Sequence, residues 1–514
     1  MQANERIIIP PALHPQDLSL LIAKRFMQKI FSRLDRHTVL LSLVAVAGML
    51  GIVGGIVTET LRPVIMVTLL GVFISIAVVD IRTSIASVLV YLIVLGDLRK
   101  WLTAQFGGGG GADVLLVLGG IFALIICANA FAKQQIKFDT AMSKWVLLLM
   151  AVMVLQIFNP AQGALMAGVV GSMFVLVPFM WYWVGRTYAN EAFLEIVLFR
   201  VVVPMGVLAA CYGIYHALYG YLPHQQIWLE ENWFAGLGSP DNPAPISFFS
   251  NNQEHGAFLT IATVLCWAAF LKGRRTYLLL LPVFFTALVL TGSRGPVVFS
   301  LLGMCTMWAA LGKDPRTWVL RGGVAVLIGV TGLVWTLNQT ASWELDDSVQ
   351  QRIGRQTQEL DLSQRQAGEY SSIANHTFMM IRGYTSVVNY PLGRGIGFTT
   401  LAADRYGSGG YSTETELGDS FLGLGIPGGI AYHAIIFLLV LYTIRLWLKT
   451  RSFIALALVG VFASTMAGTV GGQLYAVSSI VIFCMGSLDR LHRDEVRRPE
   501  EEEVTEEQRA YQGA

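Results

Sequence analysis

Charge is scarce in this chain. Only 14% of its 514 residues are Asp, Glu, Lys or Arg, against about 25% in a soluble domain. That deficit, with 54% hydrophobic residues, excludes an ordinary soluble globule and is accounted for if most residues sit in lipid. The net charge is only +2, so no global basic signal points to nucleic acid. The five cysteines, Cys127, Cys211, Cys266, Cys305 and Cys484, all fall inside apolar runs. They read as small core residues, not as disulfides or metal ligands. The eight histidines are scattered without metal-ligand spacing, so no metal is expected. The glycine run Gly107 to Gly111 lacks the helix start and the Lys-Ser/Thr of a phosphate-binding loop. It reads as a flexible connection, and neither nucleotide nor other cofactor is expected.

What the chain has is apolar runs of membrane-crossing length, enough for a core of ~30 Å. They lie near 38–58, 63–80, 84–98, 113–132, 144–159, 164–185, 195–218, 255–271, 276–292, 296–312, 318–337, 421–444, 453–470 and 474–489. The fold class expected is an all-α polytopic membrane protein with about fourteen transmembrane helices, twelve being the alternative count. One large extracytoplasmic loop would carry amphipathic helices.

Lys24, Arg25, Lys29, Arg33 and Arg36 precede the first run and place the N-terminus in the cytoplasm by the positive-inside rule. Alternation then puts Lys133/Lys137/Lys144, Arg186, Lys272/Arg274/Arg275, Lys313/Arg316, Arg445/Lys449/Arg451 and Arg493/Arg497/Arg498 on the same side. Both termini become cytoplasmic. The division expected is a cytoplasmic amphipathic segment (1–37, with a helix at 16–34 that can lie on the inner leaflet) and an N-terminal membrane part (38–218). Next come a first outer loop (219–254), further spans (255–337), a large outer loop (338–420), C-terminal spans (421–490) and a disordered tail (491–514).

Three outward-facing clusters can carry chemistry. The first is Thr291-Gly-Ser-Arg294-Gly-Pro296. Arg294 would sit on the side where topology does not favour positive charge, in a turn with exposed N–H groups where an anion can dock. An arginine at a membrane boundary also has a simpler reading, snorkelling to the interface. The second is Ser250 to Phe258, where Asn251 and Asn252 suit helix capping and Glu254 and His255 can line a polar cavity. The third runs from Asn375 through Arg382 to Gly397. A helical pattern to Val388 ends at Pro391, and Gly393, Gly395 and Gly397 make a turn. Arg382 and Arg394 on one face suit paired phosphates, because Arg binds phosphate oxygens bidentately; a solvated helix paired to Glu369 or Asp404 is the alternative. Glu414, Glu416 and Asp419 follow, just before the run that starts at Phe421. Each can take a proton from a substrate hydroxyl or simply favour a helix N-terminus.

These clusters, in this order, resemble the O-antigen ligase / O-antigen polymerase superfamily of bacterial polysaccharide membrane enzymes. The pieces are Phe249-Ser-Asn-Asn-Gln-Glu-His-Gly-Ala-Phe-Leu259, Leu290-Thr-Gly-Ser-Arg-Gly295, Arg382 with Asn389-Tyr-Pro-Leu-Gly-Arg-Gly-Ile-Gly397, and Gly425-Ile-Pro-Gly428. The resemblance covers about 245–445. It implies a metal-independent glycosyltransferase with a GT-C-like fold in the bacterial inner membrane. Its donor would be an undecaprenyl-diphosphate-linked oligosaccharide at the outer leaflet. Arg294 and Arg382 would grip the diphosphate, and Arg382 with Gly393 matches an Arg-x10-Gly pattern of the polymerases. Ligases of this kind carry a histidine about eleven residues before the Gly-Ile-Pro-Gly turn, where this chain has Glu414-Thr415. That departure makes an acid the candidate base, and with about fourteen spans where such ligases have twelve it favours polymerisation of repeat units over ligation to a lipid or protein acceptor. The partners implied are a glycan acceptor, membrane lipid, and a flippase and chain-length regulator. A transporter is the rival class; it should show internal repeats and helices broken near the midplane, and neither loop motif is repeated.

Overall fold

The computed structural model describes residues 48, 61–107, 113–232, 244–312, 314–340, 350, 372–413, 415–465 and 474–497. The segment expected to be amphipathic at 16–34, the first expected span apart from Gly48, most of the glycine run, Glu369, Glu414 and the tail from Arg498 lie outside the described residues. So do 341–349 and 351–371 of the long polar loop.

Every described element is helical. Among the described residues, seven helical stretches are long and apolar enough to cross a membrane: Leu61–Val79, Ile81–Phe106, Val114–Ala132, Leu165–Tyr188, Glu191–Tyr219, Asn252–Leu271 and Glu416–Thr450. This is an all-α membrane protein, but the fourteen spans and GT-C-like arrangement expected from the apolar runs are not what the described helices support. The runs at 144–159 and 276–292 form the shorter helices Ala141–Ile157 and Arg275–Leu290, which at 1.5 Å per residue fall short of a ~30 Å core. The described part of the run at 453–470 is the helix Phe453–Thr465. The run at 296–312 forms a 17-residue helix. Those at 318–337 and 474–489 lie in helices that also hold Arg316 and Arg321, or Asp489 and Arg490. A hydropathy window sees composition, not where a helix stops.

Two compact units divide the chain, Met1–Ser84 and Ile85–Ala514. In the first, α1 (Leu61–Val79) ends at Asp80, whose carboxylate accepts from the N–H of Arg82 at 3.0 Å and of Thr83 at 3.3 Å. The Thr83 hydroxyl also donates to it. That hydroxyl, opposed by burial and helped by the two N–H groups and the Arg82 charge, holds the Asp80 carboxyl below its usual range.

Helix α2 (Ile81–Phe106) has its first four residues in the first unit and the rest in the second, which continues with α3 (Leu118–Ala132), α4 (Ala141–Ile157), α5 (Leu165–Val175) and α6 (Met180–Tyr188). Then α7 (Glu191–Glu195) runs through a π segment into α8 (Val203–Tyr219), followed by α9 (Pro223–Glu231), α10 (Asn252–Leu271), α11 (Leu281–Leu290) and α12 (Arg294–Ala310). The remainder is α13 (Pro315–Thr340), α14 (Ser372–Thr385), α15 (Leu401–Tyr406), α16 (Glu416–Thr450), α17 (Phe453–Thr465) and α18 (Tyr475–His492).

Small residues let these helices touch backbone to backbone, as membrane helices commonly do. A Cβ on Gly185 of α6 would collide with the Phe483 carbonyl, and one on Gly486 of α18 with that of Tyr182. Helix α17 packs against α10 and α12, and α16 against α4. Leu155, Phe131, Val319 and Leu327 point outward, 71%, 65%, 78% and 67% exposed, which suits lipid and would be unfavourable in water.

Helix α2 runs on past the charges at which the sequence suggested its end. Lys100, fully buried, donates to the Ser247 carbonyl at 2.6 Å and pairs with Asp97 at 3.2 Å. Arg99 pairs with Asp113 at 2.9 Å and donates to the Ser250 hydroxyl at 3.0 Å. Buried charges persist only when paired and hydrogen-bonded, and these pairings tie the loop before α10 to α2. Cys127, Cys266 and Cys484 are buried as expected; Cys211 is exposed on α8 and Cys305 half-buried.

Candidate functional site

Helix α16 is broken. Gly425 has φ 68° and ψ −165°, and Pro427 follows inside the helix. Proline has no N–H and its ring clashes with the preceding turn, while only glycine adopts this left-handed geometry cheaply. The break leaves backbone groups without helical partners, and the loop from Pro391 supplies them. The N–H of Arg394 donates to the Leu422 carbonyl at 3.0 Å, that of Gly395 to the Gly423 carbonyl at 3.0 Å, and that of Ile426 to the Pro391 carbonyl at 2.9 Å. The approach is so close that a Cβ on Gly393 would meet the Gly423 carbonyl at 2.5 Å.

The far side of this loop is held by the end of α4. Gln156 donates to the Leu392 carbonyl at 2.5 Å and Asn159 to that of Gly393 at 3.1 Å. Gln162 accepts from the Gly397 N–H at 3.1 Å. The Pro391–Gly397 segment is therefore a rigid insert between α4 and the broken α16, with glycines where backbones touch.

That insert fixes the arginines. The Arg394 guanidinium lies 3.8 Å from the Phe398 ring centre and 4.7 Å from that of Tyr390. Arg382, near the end of α14, lies 4.5 Å over the Tyr411 ring. Phe398 and Tyr411 meet edge to face at 5.6 Å. Arg382 and Arg394 thus flank one aromatic pair. Cation–π placement engages the faces of both guanidiniums, a geometry in which the edges can still bind an anion. Nε of Arg394 is buried without a hydrogen-bond partner among the described residues. Arg382 reaches this place because Gly383 lets α14 lie on the start of α16: a Cβ there would meet Gly418 Cα at 2.6 Å.

The carboxylates come next. Glu416 and Asp419 occupy the first turn of α16, capped by Thr415, whose hydroxyl accepts from the Gly418 N–H at 3.3 Å. The sequence suggested a loop here; the helix begins five residues before the expected Phe421. Both side chains line a cavity with Ser420, Thr399 and Tyr432 and an apolar wall of Met153, Val175, Phe179, Ile396 and Leu424. Tyr432 donates to Glu416 at 3.1 Å. Asp419 accepts from the Ser412 hydroxyl at 2.7 Å and the Thr413 N–H at 2.6 Å. The strand of loop that holds Asp419 therefore also carries Tyr411, under Arg382. Neither arginine lines the cavity itself.

The other expected residues are elsewhere. His255 is wholly buried, its ring nitrogens 3.1 Å from the Pro245 carbonyl and 3.3 Å from the Ala209 carbonyl. That pins the 245–249 loop to α8 and leaves no ring nitrogen facing the cavity. Glu254 accepts from the Ala476 N–H at 2.8 Å, tying α10 to α18. Asn251 caps α10 by accepting from the Glu254 N–H, while Asn252 reaches Ser293 at 3.3 Å. Arg294 opens α12 beside that bond, with Pro296 packed on Gly256. The contacts that unite Arg382 with Arg394 do not include it. Asp404 accepts from the Gly410 N–H at 3.2 Å.

No protein-family model matches this chain, and no curated protein matches it.

Sequence reasoning missed Tyr432, Tyr384 and His433. The Tyr384 hydroxyl and His433 Nε2 are 2.9 Å apart, and His433 Nδ1 lies 2.8 Å from the Gly429 carbonyl. A neutral ring donating to Gly429 accepts from the tyrosine. Burial pushes the Tyr384 phenol up, which keeps that proton in place at neutral pH. The signal available was Tyr432-His433 inside an apolar run, a polar pair that burial must satisfy.

Proposed function

We propose that this protein is a membrane glycosyltransferase that polymerises polyprenyl-diphosphate-linked repeat units of a cell-surface polysaccharide at the outer leaflet of the bacterial inner membrane, with both termini cytoplasmic. The observation that carries the reading is the convergence of Arg382 and Arg394 on the Phe398–Tyr411 pair, through a loop whose next residues hold the Asp419 carboxylate. Cations for a diphosphate and a carboxylate for a proton are then coupled through one short segment.

The reaction is a transfer at the anomeric carbon. An acceptor hydroxyl oxygen forms the new bond, the bond to the diphosphate oxygen breaks, and the lipid diphosphate leaves with the electron pair. Asp419 or Glu416 takes the hydroxyl proton. Preorganised cations near the leaving group lower the barrier, each such donor being worth about 3 kcal/mol. The apolar wall of the cavity limits water around the Glu416 and Asp419 carboxylates, which strengthens their pull on the hydroxyl proton. Arg294 joins the same role on the resemblance alone.

A transporter would use a broken helix to expose backbone groups to its substrate. In α16 those groups are already taken by Arg394, Gly395 and Pro391, which favours an enzyme over a carrier. Deletion of the gene followed by sizing of surface glycan tests the reading. Loss of long chains with single repeats retained supports a polymerase, accumulation of full-length lipid-linked glycan a ligase, and unchanged glycan neither. Arg382→Ala and Arg394→Ala proteins that reach the membrane should reproduce the deletion.

A further inference from the structure

A second polar centre lies at the other end of α4, a helix of 17 residues and so about 26 Å long. Here the ends of α3, α6 and α18 meet the start of α4. Lys137, Arg186, Arg490 and Arg493 line one open cavity with Gln134 and Gln135.

Arg186 is the centre of it. The residue is only 3% exposed. One terminal nitrogen, Nη2, donates to Asp139 and faces the Thr140 hydroxyl at 3.5 Å. Nε lies 3.1 Å from Asp489. Nη1 is buried and has no hydrogen-bond partner among the described residues. A guanidinium edge left bare in a buried place is costly and marks where an acceptor belongs.

Acidic groups face the same cations, and they do not cancel them. Asp489 Oδ2 accepts from Tyr182 at 2.5 Å and Thr140 at 2.8 Å. Arg493 pairs with Asp494 at 2.9 Å and reaches Asp139 at 3.8 Å, and Arg490 lies 3.6 Å from Asp494. Among the described residues, four cations thus stand against three carboxylates, and neither Lys137 nor Arg186 Nη1 is in an ion pair.

The cavity is not an accident of a loose loop. Lys133 ends α3 and Gln134 follows with φ 55°, a left-handed turn. The Gln134 N–H donates to the Phe131 carbonyl at 2.9 Å and that of Gln135 to Ala130 at 2.9 Å, the two bonds of a Schellman cap. A side-chain-bearing residue here costs about 1–2 kcal/mol more than glycine, yet the chain has glutamine, and the turn sets both glutamines at the cavity.

We infer that this cavity binds a phosphate-bearing anion, with Arg186 Nη1 as the anchoring donor and Lys137 and Arg493 at its mouth. Arginine binds phosphate oxygens in a fork, and a basic pocket between membrane helices suits an anionic lipid headgroup or a free phosphate alike. The site is independent of the transfer chemistry proposed above.

The test uses the full chain, purified in detergent and stripped of lipid. Thermal unfolding and intact-complex mass spectrometry are followed with phosphatidylcholine vesicles containing increasing phosphatidylglycerol, and separately with inorganic phosphate. Stabilisation and retained adducts with phosphatidylglycerol but not phosphate identify a lipid headgroup; stabilisation by phosphate alone identifies a free anion. Lys137→Ala/Arg493→Ala should weaken the response at least fivefold. Arg186→Lys, which keeps charge but removes the fork, should do likewise if it folds. No response to either ligand, or an unchanged response in the Lys137→Ala/Arg493→Ala protein, overturns the site.

Discussion

The backbone N–H of Arg394 donates to the carbonyl of Leu422 at 3.0 Å, across the break in α16. One residue thereby repairs a helix with its backbone and sits on Phe398 with its side chain. The stability of α16 and the position of a cation are coupled at this point.

Gly425→Ala should therefore destabilise strongly. The added Cβ would strike the Leu392 carbonyl carbon, and the left-handed backbone adds about 1–2 kcal/mol. Gly292 shares the positive φ, at 71°, but a Cβ there meets nothing within 4 Å. Gly292→Ala should lower the thermal midpoint by the backbone cost alone. Equal losses in the two variants would contradict the clash.

Arg382→Lys and Arg394→Lys should each cost activity, because lysine keeps the charge but not the planar fork or the stacking. A loss on the order of 10²-fold in rate is expected on replacement by alanine, and a smaller one with lysine. Rates of long-chain glycan formation in membranes check this. Full activity in both alanine variants would remove the arginines from the site.

The carboxylates should separate by what holds them. Asp419→Asn keeps an acceptor for the Thr413 N–H and turns its NH2 to the Ser412 hydroxyl, which can accept, but loses the base, so rate should fall with the fold intact. Tyr432→Phe removes the donor to Glu416 without touching Asp419. If Asp419 is the base, Tyr432→Phe stays within a few-fold of wild type while Asp419→Asn falls by at least about 10²-fold, the lower end of the usual general-base contribution of about 10²–10⁴. The reverse order would make Glu416 the base.

Gln134→Gly should stabilise the protein by about 1 kcal/mol, since it removes a left-handed side-chain-bearing residue from the end of α3. The readout is the thermal midpoint. A loss of stability would mean that the glutamine side chain contributes more than its backbone strain costs.

Much of the fold was legible, and the reasons differ by element. Apolar runs foretold helices because lipid forces backbone hydrogen bonds to close within a segment. They did not foretell how many cross, since hydropathy does not mark where α4 or α11 stops. Pro391 and its glycines announced a turn correctly. That the turn would mend α16 could not be read, because Arg394 and Leu422 are brought together only by folding. The same holds for Lys100 and Ser247: a buried lysine in sequence looks like the end of a span. Glu416 and Asp419 were found by their position before an apolar run, whereas Tyr432 and His433 were hidden inside one. His255, attractive beside Glu254 at a helix start, has both ring nitrogens turned to backbone carbonyls.

The most direct measurement is release of polyprenyl diphosphate by the purified protein in proteoliposomes, supplied with lipid-diphosphate-linked glycan and no nucleotide. The account predicts that wild-type protein releases it together with a lengthened glycan, and that Arg382→Ala/Arg394→Ala protein of normal thermal stability does not. Release and chain growth at the wild-type rate by that double variant, or none by the wild type, would contradict it.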